Sequence, residues 1–406
     1  MTLSAQNLRK FRLLALAGGL FLMASAAHAA ELSWKKHTVN DQSEFEAAGA
    51  LDVDNDGDLD IVSGSYWYEA PSWKKHDVRD VVRQGTYYNC FSTLPVDANA
   101  DGFMDFVTVS YFGRSFGWVE NPKQTGKKWT YHEVDLPGTS EAAWAMDLTG
   151  DGKLDFLPNP TNAVVWYELE KAGPTPKFKK HDFGTAAAGH GVGSGDINRD
   201  GRIDLLTPKG WFEAPEKPSD QQWTWHPDWN LGATGIQILA RDMDGDGLTD
   251  LIWGNGHDIG LFWAKQVKGA DGKVQWKKEN IDMTIASVHT LLWADLDGDG
   301  EDEMITGKRV YAHEREPGDI DAPVIAAFNF DKASGSWKKR SIYVGEPAKN
   351  APKDPSKRLA LRDFPKGTAG TGLQLTAIDM DKDGDLDIVA PGKSGLYWFE
   401  NLSKSK

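Results

Sequence analysis

The sequence predicts an all-β fold, a closed ring of seven four-stranded blades, on three observations. An acidic segment of the form D-x-[DNT]-x-D-G-x-x-[DE], followed by apolar residues, occurs seven times, from Asp52 to Asp60 in the first copy and Asp379 to Asp387 in the last. A second segment, aromatic-K/T-x-[HKER], also occurs seven times, starting at Trp34, Trp73, Trp129, Phe178, Trp223, Trp276 and Trp337. The two series run in one phase, and no stretch sustains a helical period.

Each repeat divides into four strands. In the first copy they fall near Phe45 to Leu51, Asp60 to Ser63, Tyr66 to Glu69 and Trp73 to Val78, with Ala70-Pro71-Ser72 as the turn between the last two. The third strand often reads W-Y/F-E, as at Trp67, Trp166, Trp211 and Trp398. A four-stranded unit repeated about every 50 residues reads as a β-propeller, in which ring closure removes long exposed sheet edges. The chain opens with an outer strand, Trp34 to Val39, and ends with the strand that precedes it in a blade, Gly395 to Glu400. Pairing of the two is expected to close the ring over residues 31–406.

Residues 1–30 read as a separate signal peptide: Arg9, Lys10 and Arg12 form a positive leader, Leu13 to Met23 an apolar run, and Ala27-His28-Ala29 a small-x-small cleavage site. Export to the periplasm or the cell exterior is expected, with no membrane insertion. A net charge of −15 excludes a nucleic-acid binder, and the single Cys90 excludes a disulfide scaffold. The oligomeric state is not legible in the sequence.

In the acidic loops, oxygens at positions 1, 3, 5 and 9 can converge on one hard cation while a glycine permits the turn, a donor set that suits Ca²⁺. The expected ligands are Asp52, Asp54, Asp56 and Asp60; Asp97, Asn99, Asp101 and Asp105; Asp147, Thr149, Asp151 and Asp155; and Asp196, Asn198, Asp200 and Asp204. The remaining copies supply Asp242, Asp244, Asp246 and Asp250; Asp295, Asp297, Asp299 and Glu303; and Asp379, Asp381, Asp383 and Asp387. Up to seven structural Ca²⁺ ions are expected, with weaker sites where Asn99, Thr149 and Asn198 replace an acid. Helix-flanked EF-hands are excluded, because Ile61-Val62-Ser63-Gly64 continues as a strand. These loops resemble the FG-GAP or VCBS repeats of integrin-α-type propellers, which implies a fold but not an activity.

Six residues before each first loop Asp lie Glu46, Phe91, Glu141, His190, Ile236, His289 and Leu373. Rotational equivalence places them in a ring around one pore, where His190 and His289 can bind a catalytic divalent metal or act as an acid/base set. Loops between second and third strands add Lys209, His257, Lys308 and Lys393, with Arg114 and Arg309 nearby. A cationic collar of this kind can hold a carboxylate or an enolate oxygen. Tyr111 offers an apolar platform for a sugar ring. His37, His76, His132 and His181, on outer strands, are expected to serve packing.

The segments from His190 to Asp196, Thr207 to Pro215, Gly256 to Trp263 and Gly307 through His313 are similar to the propeller part of aldos-2-ulose dehydratases. That resemblance implies a lyase that eliminates water from a keto-sugar such as 1,5-anhydrofructose. The chemistry needs a base for the α-proton, an electrophile for the enolate oxygen and an acid for the departing hydroxyl. His190 and His289 are expected at the metal or the α-proton, His257 in acid/base work, and Lys308 and Arg309 at the enolate oxygen, with Glu141, Lys209, Asp258, Tyr111, Arg114 and His313 holding a small sugar or oligosaccharide. Two alternatives stay open: a polyuronate lyase that uses the collar, and a non-catalytic carbohydrate- or protein-binding propeller.

Overall fold

A computed structural model describes residues 32–313, 316–349, 351 and 359–403; the expected leader lies outside them. The described chain is all-β apart from one short 3₁₀ turn, Leu361–Asp363. The repeats form antiparallel four-stranded meanders arranged as a β-propeller, with the first strand of each repeat innermost. Among the described residues no helix is long and apolar enough to cross a membrane.

The blade count departs from expectation. Five repeats form separate four-stranded sheets, so there are five separate blades rather than seven. The other two repeats share one eight-stranded sheet, in which the inner strands Val192–Gly195 and Gln237–Arg241 pair in parallel, Gly193 opposite Ile238. Glycine is the physical reason. A Cβ on Gly193 would lie 1.9 Å from the Ile238 carbonyl oxygen, and one on Gly195 2.5 Å from the Ala240 Cβ. With no side chain at either position the two inner strands approach to hydrogen-bonding distance.

Closure follows the expected route. Trp34–Asn40 pairs antiparallel with Gly395–Asn401, so both ends of the described chain share one sheet, with His37 opposite Trp398. The core lies between neighbouring sheets: Ile61 and Tyr68 of the first repeat pack on Val389 and Trp398 of the last, and Ile305 and Ile325 of the sixth on Ile388 and Phe399.

The W-x-E element gains a specific role. His181 stacks flat on Trp166 at 3.7 Å between ring centres and its Nε2 meets Glu168. The same trio recurs as His37–Trp398–Glu400, His76–Trp67–Glu69, His132–Trp118–Glu120 and His226–Trp211–Glu213. These histidines tie outer strands to third strands, as expected of His37, His76, His132 and His181.

Candidate functional site

The ring predicted by rotation is present at the pore. Phe91, Ile236 and Leu373 belong to one buried apolar cluster, and the four polar members meet in two pairs, Glu141 with His190 directly and Glu46 with His289 through a buried arginine. Arg309, 1% exposed, donates from Nε and Nη2 to the two Glu46 oxygens at 2.7 and 3.0 Å, and from Nη1 to His289 Nε2 at 2.9 Å. A carbonyl only accepts, so His289 Nδ1 donates to the Ser287 carbonyl at 3.1 Å and Nε2 carries the lone pair that Arg309 occupies. His289 is therefore neutral. Burial, then the Arg309 charge, holds its pKa well below the ordinary value.

His190 is its electrostatic opposite. Its Nδ1 donates to the Thr234 carbonyl at 2.7 Å and its Nε2 to Glu141 at 3.0 Å, the bonding of an imidazolium. Burial alone would depress its pKa, but the Glu141 hydrogen bond and charge carry it above the ordinary 6.5. Glu141 is likewise pushed up by burial, yet His190 and the Arg309 charge bring it down to about 2. The ring of His257 lies 4.9 Å from that of His190 and 5.8 Å from that of His289. Gly256 makes this convergence possible: a Cβ there would sit 3.2 Å from His190 Cε1 and 3.3 Å from His289 Nε2.

On the outer side of the pore, the 41% exposed His257 side chain donates from Nδ1 to Glu316 Oε1 at 3.0 Å, and its ring lies 4.5 Å from that of His313. Tyr87 donates to the Ala312 carbonyl at 2.7 Å and receives the His313 Nδ1 proton at 3.4 Å. Burial, then the charges of Arg309 and His257, lowers the His313 pKa to about 3. One donor atom from each of His190, His257 and His289 lies within 4.8 Å of the other two, and the same holds for His257, His313 and Glu316.

Several expected roles need correction. Lys308 does not face a substrate: it is 1% exposed, and its three N–H groups are spent on the carbonyls of Gly318, Asp319 and Asp321. Arg309 is equally consumed, by Glu46 and His289. The collar is consequently not an open ring of cations. Lys393 is buried with Nζ 3.6 Å from the centre of the Tyr87 ring, and Lys209 Nζ bonds the Ala186 carbonyl at the surface. His289 is fully buried beneath the histidines it was expected to join in catalysis. Arg114 and Asp258 are exposed, Asp258 accepting from the Ile259 amide, and Tyr111 packs on Phe91 and Phe112. Glu316 was not anticipated. It lies in the irregular loop of the sixth repeat, which has no counterpart elsewhere, and its spacing from His313 is the one hint in the sequence.

The acidic loops fold around their own carboxylates. Asp52 accepts from the amides of Asp56 and Gly57, a pattern repeated by Asp97, Asp196 and Asp379. The ninth-position acids are buried pins: Asp60 takes the Val53 amide on one oxygen and the Ala70 amide on the other, and Asp204 takes those of Ile197 and Ala214. Asp52, Asp54 and Asp60 bring three donor oxygens within 4.8 Å, as do Asp242, Asp244 and Asp246, and Asp295, Asp297 and Asp299. Side-chain cations already lie on several loops: Lys123 on Asp101, Lys153 on Asp151, Arg202 on Asp200, Lys265 on Asp244, and Arg340 on Asp297 and Glu303.

A family model described as an FG-GAP-like repeat matches residues 97–158, 147–207 and 242–306, so FG-GAP-like repeats occupy less than half of the chain by this measure. No curated protein matches it. Among solved structures, rhamnogalacturonan lyase YesW is 12% identical, with 90% of this chain and 72% of that one covered and a TM-score of 0.42. The exotype rhamnogalacturonan lyase YesX gives 12% identity, 90% and 72% coverage and a TM-score of 0.44. A lectin of Agrocybe aegerita that recognises non-reducing terminal N-acetylglucosamine gives 13%, 90%, 91% and 0.46. None of these three matches carries the aldos-2-ulose dehydratase resemblance, and chemistry is argued below from the site alone.

Proposed function

We propose that the protein is an exported carbohydrate-active lyase that removes water from a keto-sugar at the pore mouth. The observation that carries this reading is the His190–Glu141 pair, 3.0 Å apart and bordered by the neutral His289. A base of raised pKa is the group that α-proton removal requires. In its neutral form, with Nδ1–H held on the Thr234 carbonyl, His190 takes the α-proton from carbon at Nε2, the C–H electrons pass into the enolate, and Glu141 stabilises the imidazolium so formed. The same proton is returned to the β-hydroxyl, which departs as water while the enolate electrons form the new C=C bond. Proton count is conserved and no co-reactant is consumed.

The test is incubation with 1,5-anhydrofructose, glucosone and a 3-keto-glucoside, followed by ultraviolet absorbance. A conjugated enone should grow in on at least one of them. A flat trace on all three removes the lyase reading in favour of a carbohydrate-binding propeller. The polyuronate-lyase alternative drew on an open cationic collar, and the burial of Lys308 and Lys393 takes that support away.

We further propose Ca²⁺ as a structural ion of the acidic loops, foremost at Asp52, Asp54 and Asp60, whose oxygens converge. The donor set is hard oxygen throughout, as Ca²⁺ requires. Thorough chelation should lower the thermal midpoint, since an ion held at 100 times its Kd contributes about 2.7 kcal/mol per site. A melting curve unmoved by chelator and by added Ca²⁺ would remove the ion from the account.

A further inference from the structure

A cavity of about 760 Å³ opens beside the pore and takes no part in the chemistry above. It lies between residues 41–44 of the first repeat, residues 361–367 ahead of the inner strand of the seventh, and the turn at Lys393 and Ser394. Its volume falls within the range of small-molecule sites. Most of its charges are already matched: Lys366 meets Asp41 at 2.9 Å, Glu44 meets Arg83 at 3.4 Å, and Lys393 lies 3.7 Å from Glu46. The exposed Arg362 has no such partner among the described residues. The Ser394 hydroxyl is buried without a hydrogen-bond partner. Phe364 adds an aromatic wall, with the Lys308 ammonium 5.8 Å from its ring centre. A lining with so little surplus charge does not select an ion. Donors and acceptors of both kinds around an aromatic ring suit a sugar, whose hydroxyls meet the polar groups and whose C–H face meets the ring.

Lys393 joins this cavity to the reaction centre. Its Nζ lies 3.6 Å from the centre of the Tyr87 ring, and the Tyr87 hydroxyl meets His313. The His313 ring lies 4.5 Å from that of His257, which lies 4.9 Å from that of His190. The His190 side chain is 23% exposed, so a substrate can reach it. We propose that the cavity binds a glycosyl unit, and that the substrate is the keto-sugar end of a glycoside rather than a free keto-sugar. With the ketone at C2, the C3–H bond breaks at His190, the C4 hydroxyl leaves as water and the C3=C4 bond forms. The anomeric bond at C1 stays intact and carries the second unit into the cavity. No co-reactant is consumed. The substrate class named here rests on the lyase reading; the sugar site itself rests on the lining of the cavity.

The test compares 1,5-anhydrofructose, which has no unit at C1, with cellobiose and maltose oxidised to the ketone at C2 of the non-reducing ring. On the full chain, kcat/KM for at least one keto-disaccharide should be about 10–100-fold the higher, the worth of a hydrogen bond to a charged group spent at the reacting centre. Arg362→Ala, which removes that donor, and Gln42→Trp, which fills the cavity from an exposed position, should bring the ratio close to one. Calorimetric titration with unoxidised cellobiose and maltose reads the site without chemistry. One of them should bind, and both variants should weaken it by about tenfold or more. Equal kcat/KM on all three substrates with neither disaccharide bound overturns the inference and leaves the lyase reading in place. Disaccharide affinity unchanged in both variants overturns the assignment to this cavity. A disaccharide bound, lost in both variants and accompanied by no enone from any substrate supports the sugar site and removes the lyase reading. Should either variant fail to fold, the wild-type ratio and titration decide among the same outcomes.

Discussion

Arg309→Met should lower unfolding free energy by about 3–5 kcal/mol, the cost of leaving one partner of a buried ion pair alone. Glu46 is 6% exposed and receives two N–H bonds from Arg309. Burial raises its pKa, while Arg309 and Lys393 together hold it below the ordinary value. The Lys393 ammonium, 3.7 Å away, survives the substitution and sets the loss toward the lower end of that range. The double variant Glu46→Leu/Arg309→Met should recover much of the deficit, because well-packed apolar residues of similar volume often replace a buried pair without net cost. Urea melts of the three proteins measure this directly. If Arg309→Met melts like the wild type, the pair is not what joins the first repeat to the sixth.

His190→Gln should reduce turnover of the keto-sugar by about 10²–10⁴-fold, the usual contribution of a positioned proton-transfer group, and should also lower the melting midpoint, because Glu141 loses its charged partner. The pH dependence carries a sign that can be fixed in advance. Glu141, depressed to about 2 from 4.5, stabilises the fold above pH 4.5 and loses that contribution as pH falls toward 2. His190, raised above 6.5, contributes fully below 6.5 and loses it as pH rises through its folded pKa. Catalysis needs the neutral imidazole, so kcat/KM should climb with pH on a limb set by His190. Glu141→Gln should shift that limb to lower pH, because burial and the Arg309 charge are then opposed only by the hydrogen bond to the Thr234 carbonyl. A limb that stays in place in Glu141→Gln would separate the pH profile from His190.

Much of this arrangement was legible without coordinates. Counting six residues back from each acidic loop found Glu46, Glu141, His190 and His289, because a repeated module turns position in the repeat into position around an axis. The same reasoning failed at Lys308 and Arg309. They open the loop between second and third strands, which is longest in the sixth repeat, and nothing in the repeat says which way successive side chains point. Arg309 finds its partner 263 residues away. The merging of two repeats into one sheet was also hidden, since it depends on how closely Gly193 and Gly195 let two backbones approach. Strand patterns record which face is apolar; they do not record distances between inner strands.

The clasp formed by Trp34–Asn40 and Gly395–Asn401 has a consequence for biogenesis. Three of the four strands of that sheet come from residues 376–401, so the circle stays open until that segment has been made. The Glu46–Arg309 pair joins the first repeat to the sixth across the seventh. The pore is thus completed in one late event, and a chain that lacks Gly395–Asn401 forfeits the reaction centre on the far side of the ring along with the seam.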